Sequence, residues 1–333
     1  MSRSIIVLPD DSGQPILDAI AAAKKSIRIK MFVFSDPSLL KAVIDAHKRG
    51  VDVRIMLNPA RRDGKEENAA SREALTAAGV KVIDSNPAFD LTHEKSMVID
   101  DTTAIVQSLN WETENLTTTR DYAVVTSHKH EVAEVAQCFD ADWNRDKFDA
   151  GNTHLIWCIG NGRQRLGQLI DSATHSLWLQ NERYQDPVIM EHLIRAHSRG
   201  VKIHIMARPP HKLKKDKLIE GVSGLRSLQD VGVKIHKLEH IKLHAKLILA
   251  DNARAIIGSI NLAPGSFDSR RELAIEVDDP HVISRIHKTL KEDWANSHPL
   301  DLSDEGLFAE LKEYDPNVKE DLAIGAGKHH KDK

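Results

Sequence analysis

Read for hydrophobic and polar spacing, the first half of the chain alternates between two periods. Residues 15–25 carry apolar side chains at helical intervals, and 26–34 alternate as a strand does. Residues 37–49 read as a helix stopped by Gly50, 51–57 as a strand, 66–78 as a helix and 80–84 as a strand. Three short strands follow at 94–99, 103–108 and 122–126, and a helix from Lys129 to about Arg145 closes the series. Alternating strands and helices followed by consecutive strands predict an α/β unit whose mixed sheet lies between helical layers.

The second half repeats the first. AHKRGVDVRIM at Ala46 matches AHSRGVKIHIM at Ala196, an offset of 150, and HEKSMVID at His93 matches HAKLILAD at His244, an offset of 151. A period this long is a duplicated domain rather than a solenoid repeat. The reading is therefore two tandem α/β/α sandwich units with mixed sheets, at 1–150 and 151–298, followed by an acidic helix and tail at 299–333. The junction, 147–153, holds no Pro/Gly/Ser linker, which predicts two docked lobes rather than tethered beads.

Composition narrows the class. Hydrophobic residues at 41% allow a substantial core, and no run of about 18 apolar residues predicts a membrane span. Asp10 and Asp11 arrive before any signal-like apolar stretch, and Cys138 and Cys158 are too few for a disulfide framework. The expectation is a cytoplasmic protein, peripheral at the inner membrane surface if it meets lipid. Net charge is -3; residues 301–333 hold nine acids and five bases, leaving +1 for 1–300, which does not favour a nucleic-acid binder.

The repeat preserves a polar set amid altered neighbours. His93, Lys95, Asp100, Ser108, Asn110 and Asp121 recur as His244, Lys246, Asp251, Ser259, Asn261 and Glu272, each 151 residues later. On a strand, His and Lys two apart project from one face. Asp100-Asp101 and Asp251-Asn252 supply turn chemistry, and the returning strand brings Ser and Asn alongside. Two such half-sites facing across a pseudo-twofold surround one point with two imidazoles and several donors. That arrangement suits a tetrahedral phosphate. The two imidazoles then need opposite protonation states, which predicts a bell-shaped pH–rate profile.

This constellation resembles the phospholipase D superfamily, whose signature is HxKxxxxDxxxxxxGSxN. His244 through Asn261, including Gly258, match every defined position; the first copy departs once, at Gln107, where the family has glycine. The resemblance covers roughly 15–294. It implies a phosphodiesterase that cleaves or transfers the phosphatidyl group of phospholipids through a phosphohistidine, with water or an alcohol as acceptor. It also implies no cofactor and no metal. By the same resemblance His93 is the nucleophile and His244 the acid/base, with the reverse assignment open. Lys95, Lys246, Asn110 and Asn261 would bind phosphate oxygens, supported by Ser108 and Ser259. Asp121 and Glu272 would hold the imidazole Nδ1 atoms, and Asp100, Asp251 and Gly258 would be structural. Both half-sites lie in one chain, so a monomer suffices. The alternatives are a metal-independent nuclease or nucleic-acid end-processing enzyme, and an inactive phosphate-binding homologue, for which Gln107 could narrow, tune or disable the pocket.

Other features carry less. His128 and His130 lack neighbouring metal ligands in sequence and read as surface residues. Trp111 reads equally as pocket lining or as packing. The segment 208–217, with five bases and one acid, reads as a solvated loop or as a grip on an anionic headgroup or nucleic-acid backbone.

Overall fold

A computed structural model describes residues 2–60, 64–212 and 218–317. The first lobe's sheet runs Arg3–Leu8, Thr119–Thr126, Thr103–Gln107, Ser96–Ile99, Ser26–Met31, Asp52–Leu57, Lys81–Asp84. The last three strands are mutually parallel and the other neighbours antiparallel. Parallel neighbours require crossovers, and helices Pro37–Lys48 and Ala69–Ala77 supply them. The second lobe repeats this plan in the order Ser297–Pro299, Lys234–Leu238, Lys202–Ala207, Ser176–Asn181, Leu247–Ala250, Arg254–Gly258, Arg270–Val277.

Each sheet is covered on both faces. In the first lobe Ile16, Ile20, Leu39, Val43 and Leu75 pack from the outer helices, while helix Lys129–Asn144 brings Val132 and Val135 to the inner face. The inner layer joins the lobes: Val106, Tyr122 and Val124 of one share a cluster with Leu247, Ile257, Leu273 and Ile275 of the other. The lobes are thus fused through a common core.

The hairpins that carry the site are held from below by the paired aspartates. Asp100 and Asp101 have φ of 53° and 55°, and Asp251 and Asn252 have 51° and 53°. Each pair forms the centre of a β-turn, closed by Thr102 N–H to the Ile99 carbonyl at 3.0 Å and by Ala253 N–H to the Ala250 carbonyl at 2.9 Å, and Asp and Asn tolerate the left-handed geometry. The Asp100 carboxylate accepts from the N–H groups of Lys24, Lys25 and Ser26, and Asp251 from those of Thr174, His175 and Ser176. Both are therefore hairpin anchors remote from the chemistry.

Several elements differ from the sequence reading. The expected strand 26–34 ends at Met31, and the helix expected at 66–78 begins at Ala69. Strands Arg3–Leu8 and Leu155–Cys158 and the short helices Thr113–Thr117 and Pro264–Asp268 carry no clear periodicity and were not foreseen. Helix Asp304–Tyr314 buries Leu307 and Leu311 in the second lobe's core. The tail beyond 317 and the basic segment 213–217 lie outside the described residues. Among the described residues, no helix is long and apolar enough to cross a membrane.

Candidate active site

The site is assembled by reciprocal strand exchange. Leu91–Thr92 of the first lobe pairs with Arg270 and Arg271 of the second, and Lys242–Leu243 of the second pairs with Thr119 and Arg120 of the first. The chain then leaves the ladder. The N–H groups of His93 and Glu94 both donate to the Arg271 carbonyl at 2.9 Å, and His244 N–H donates to the Arg120 carbonyl at 3.3 Å. The expected strand 94–99 thus starts only at Ser96, so His93 and Lys95 sit on an irregular step rather than on a strand face. Alternation survives there: Lys95 Nζ donates back to the His93 carbonyl at 2.6 Å, while Glu94 turns away to Lys30 Nζ at 3.0 Å.

The exchange pairs each histidine with the opposite lobe's carboxylate. His93 Nδ1 lies 2.9 Å from Glu272 Oε2, and His244 Nδ1 lies 2.9 Å from Asp121 Oδ1. A Nδ1–H donated to a carboxylate leaves the Nε2 lone pair free. Both carboxylates are fully buried and themselves held: Asp121 accepts from Ser108 Oγ and Thr119 Oγ1 at 2.6 Å and Asn115 Nδ2 at 3.2 Å, and Glu272 from Ser266 Oγ at 2.8 Å. This corrects the assignment of Ser108 to phosphate binding: its hydroxyl is consumed behind Asp121. Ser259 Oγ likewise donates to the Leu273 carbonyl at 3.2 Å and lies against Glu272. Asn110 spends one N–H on Glu112 at 2.8 Å, leaving the second for a ligand. Asn110 Oδ1 and Asn261 Oδ1 are both buried without a partner.

The repeat also fixes the lobes behind the site. Arg271 makes a two-point contact with Asp142 at 2.9 and 3.0 Å, and Arg120 does the same to Asp293 at 2.8 and 2.9 Å. These four residues share the 151 offset yet were not singled out from the sequence. Each arginine directly precedes the carboxylate that orients a histidine. One donor set among the described residues, Glu94, Cys138 and Asp142, is compact enough to hold an ion. The Lys30 ammonium lies among them, 3.0, 3.1 and 2.6 Å from their ligating atoms, and so takes the place of a cation.

Gln107 does not enter the site. Its Oε1 accepts from Trp111 Nε1 at 3.0 Å, and both residues are fully buried, with Trp111 edge-on to Phe34. The second copy has Gly258 and Leu262 at these positions. A Cβ on Gly258 would stand 2.3 Å from the Leu273 carbonyl and 2.4 Å from the Ala274 Cα, so there the glycine is obligatory. Trp111 is thus packing rather than pocket lining. His128 and His130 are exposed at the start of helix Lys129–Asn144.

Electrostatically the half-sites converge and differ. Burial lowers His93 to about 3; Lys95 and Lys246 add to this and Glu272 opposes it. Burial and then the charge of Lys246 lower Lys95 to about 7. The charge of Lys246 reaches both residues of the opposite half-site, which places the two halves around one volume. The difference lies at the residues following the strands Ser26–Met31 and Ser176–Asn181. Phe32 packs edge-on to His93, its ring 4.9 Å away and 5.1 Å from Lys95 Nζ. Glu182, its counterpart, lies 2.7 Å from Lys246 Nζ and 3.8 Å from His244 Nε2, and accepts from Arg208 at 2.9 Å. Neither residue was foreseen, because the signal is a departure from the repeat rather than a match.

A family model described as cardiolipin synthase, PLD-like domain, matches residues 16–143 and again 166–294. The chain belongs to the phospholipase D-like family. Among curated relatives of this phospholipase D-like chain, the mitochondrial cardiolipin hydrolase of Xenopus tropicalis is 30% identical over 134 residues, covering 40% of the chain and 62% of the relative. Polyphosphate kinase 1 of Chlorobaculum tepidum is 25% identical over 305 residues, 85% of the chain and 43% of the relative. The chain therefore spans roughly half the length of these relatives. The phosphatidylserine synthase structure from Haemophilus influenzae superposes with a TM-score of 0.70 at 11% identity, over 90% of this chain and 87% of that one, a likeness of fold.

Proposed function

We propose that the chain is a phosphodiesterase of the phospholipase D type, cleaving or transferring the phosphatidyl group of phospholipids at a membrane surface. The observation that carries the reading is the pair of crossed contacts, His93 to Glu272 and His244 to Asp121, beside two buried lysines. His93 is the nucleophile: burial keeps it neutral over the working range, as attack requires. Its Nε2 forms a bond to phosphorus while the bond to the leaving oxygen breaks, and His244 gives that oxygen its proton. Water or an alcohol then attacks phosphorus, its proton passes to His244, and the phosphorus–nitrogen bond breaks. Lys95, Lys246, Asn110 and Asn261 hold the non-bridging oxygens, where charge accumulates. No metal enters this scheme.

The phosphatidyl substrate is supported by the cardiolipin hydrolase relative and by the family description. A second reading, phosphoryl transfer on polyphosphate, is favoured by the relative that spans 85% of the chain. The test is turnover in EDTA of mixed phospholipid vesicles, of polyphosphate with nucleotide, and of single-stranded and duplex DNA, with His93→Ala and His244→Ala alongside. Lipid turnover lost in both variants supports the proposal. Turnover confined to polyphosphate or DNA and lost in the same variants keeps the chemistry and overturns the substrate.

A further inference from the structure

The two halves of the site obey the repeat almost throughout, so what breaks the symmetry is informative. The strands Ser26–Met31 and Ser176–Asn181 correspond residue for residue at an offset of 150, and the next position is Phe32 in one and Glu182 in the other. Each stands against its own lobe's His-x-Lys pair. His93 therefore meets a carboxylate at Nδ1 and a phenyl ring beside it. His244 meets a carboxylate at each ring nitrogen, Asp121 at Nδ1 and Glu182 at 3.8 Å from Nε2.

We propose that Glu182 is the positioning residue that divides labour between the histidines, holding His244 as the proton-bearing acid and leaving His93 free to attack. This rests on the phosphodiesterase reading of the site. A carboxylate within about 4–6 Å favours the charged imidazolium, and one on the Nε2 side keeps the proton on the nitrogen that faces the leaving oxygen. The charged groups around His244 come from several elements: Asp121 at Nδ1, Glu182 on the Nε2 side, and Lys246 and Arg208, which follow strands Lys242–Leu243 and Lys202–Ala207 and both contact the Glu182 carboxylate. Glu182 stays ionised throughout: burial acts to raise it, but Lys246, His244 and Arg208 outweigh burial and hold it well below the usual carboxylate range. Arg208 shares that carboxylate and so weakens its pull on His244. Phe32 on the other side offers His93 no second carboxylate, and an unprotonated Nε2 is what a nucleophile needs.

The test uses a series of methyl aryl phosphates whose leaving phenols run from p-nitrophenol to unsubstituted phenol, which does not depend on the lipid assignment. In Glu182→Gln the basic limb of the kcat/KM pH profile moves acidward by about one unit or more. Turnover falls by about tenfold on the most basic phenol and little on p-nitrophenol, which departs without a proton. Arg208→Gln moves the same limb the opposite way, so the inference does not hang on one variant's folding. An unmoved limb in both variants, or equal losses across the series, overturns the role of Glu182 while the phosphodiesterase stands. A wild type inactive on every ester overturns both.

Discussion

Lys95 offers a test of the site that needs no substrate. Its side chain is fully buried, donating to the His93 carbonyl and facing the Phe32 ring, and burial together with Lys246 brings it from 10.5 to about 7. Below about pH 7 the amine is charged in folded and unfolded chains alike, and folding bears the whole cost of burying it. Above 10.5 it is neutral in both. Between these limits the unfolded chain holds more protons, so stability rises with pH. An interval of about 3.5 units at 1.36 kcal/mol each sets an upper limit of about 5 kcal/mol. Local relaxation and water entry reduce such penalties, leaving about 1–3 kcal/mol. Lys95→Met keeps the length and removes the charge. In urea denaturation the variant is expected to be inactive yet about 1–3 kcal/mol more stable than wild type near pH 7. The advantage should shrink by about 1–2 kcal/mol on going to about pH 9, because the wild type gains stability across that interval and the variant does not. A variant less stable than wild type at neutral pH, or one whose advantage does not change with pH, would refute the account of a lysine held under electrostatic tension for a phosphate.

Gln107→Gly should leave turnover within about twofold of wild type while costing about 2–4 kcal/mol in urea denaturation, since it strips Trp111 Nε1 of its acceptor and opens a cavity. Gly258→Ala should lose most activity and about 1–3 kcal/mol, because its Cβ would meet the strand that carries Glu272; activity and melting temperature measured together check this. Burial acts to raise the Asp142 carboxyl, but Lys30 and Arg271 outweigh it and bring it from 3.8 to about 2. Its stabilisation is therefore present above 3.8 and lost as the pH falls toward 2, so Asp142→Asn should be destabilised by about 3–5 kcal/mol near neutrality and much less at low pH.

The duplication, the α/β layers and the site histidines were legible because repetition at 151 residues separates constrained positions from free ones. The hairpin anchors Asp100 and Asp251 were legible because their chemistry is local. What could not be read was the crossing of the lobes. A two-residue strand such as Leu91–Thr92 or Lys242–Leu243 carries no periodicity, yet it decides that His93 meets Glu272 rather than Asp121. Ser108 was misassigned for the same reason: proximity to the motif is visible in sequence, but the direction of a hydroxyl depends on which carboxylate arrives beside it. The clamps Arg120–Asp293 and Arg271–Asp142 could have been found by asking which further charged residues repeat at 151. Glu182 required the opposite question, namely where two copies with otherwise matched half-sites disagree.

The claim that one site spans both lobes, with His93 as its nucleophile, is tested most directly by trapping the covalent intermediate. Wild type and His244→Ala would be mixed in EDTA with phosphatidylglycerol vesicles carrying a radiolabelled phosphate, quenched in alkali and mapped by peptide mass. The account predicts label on His93 in the wild type, little in His244→Ala, which lacks the acid that the departing glycerol oxygen needs, and none in His93→Ala. Turnover that proceeds with no label on either histidine, or label on His244 in the wild type, would contradict it.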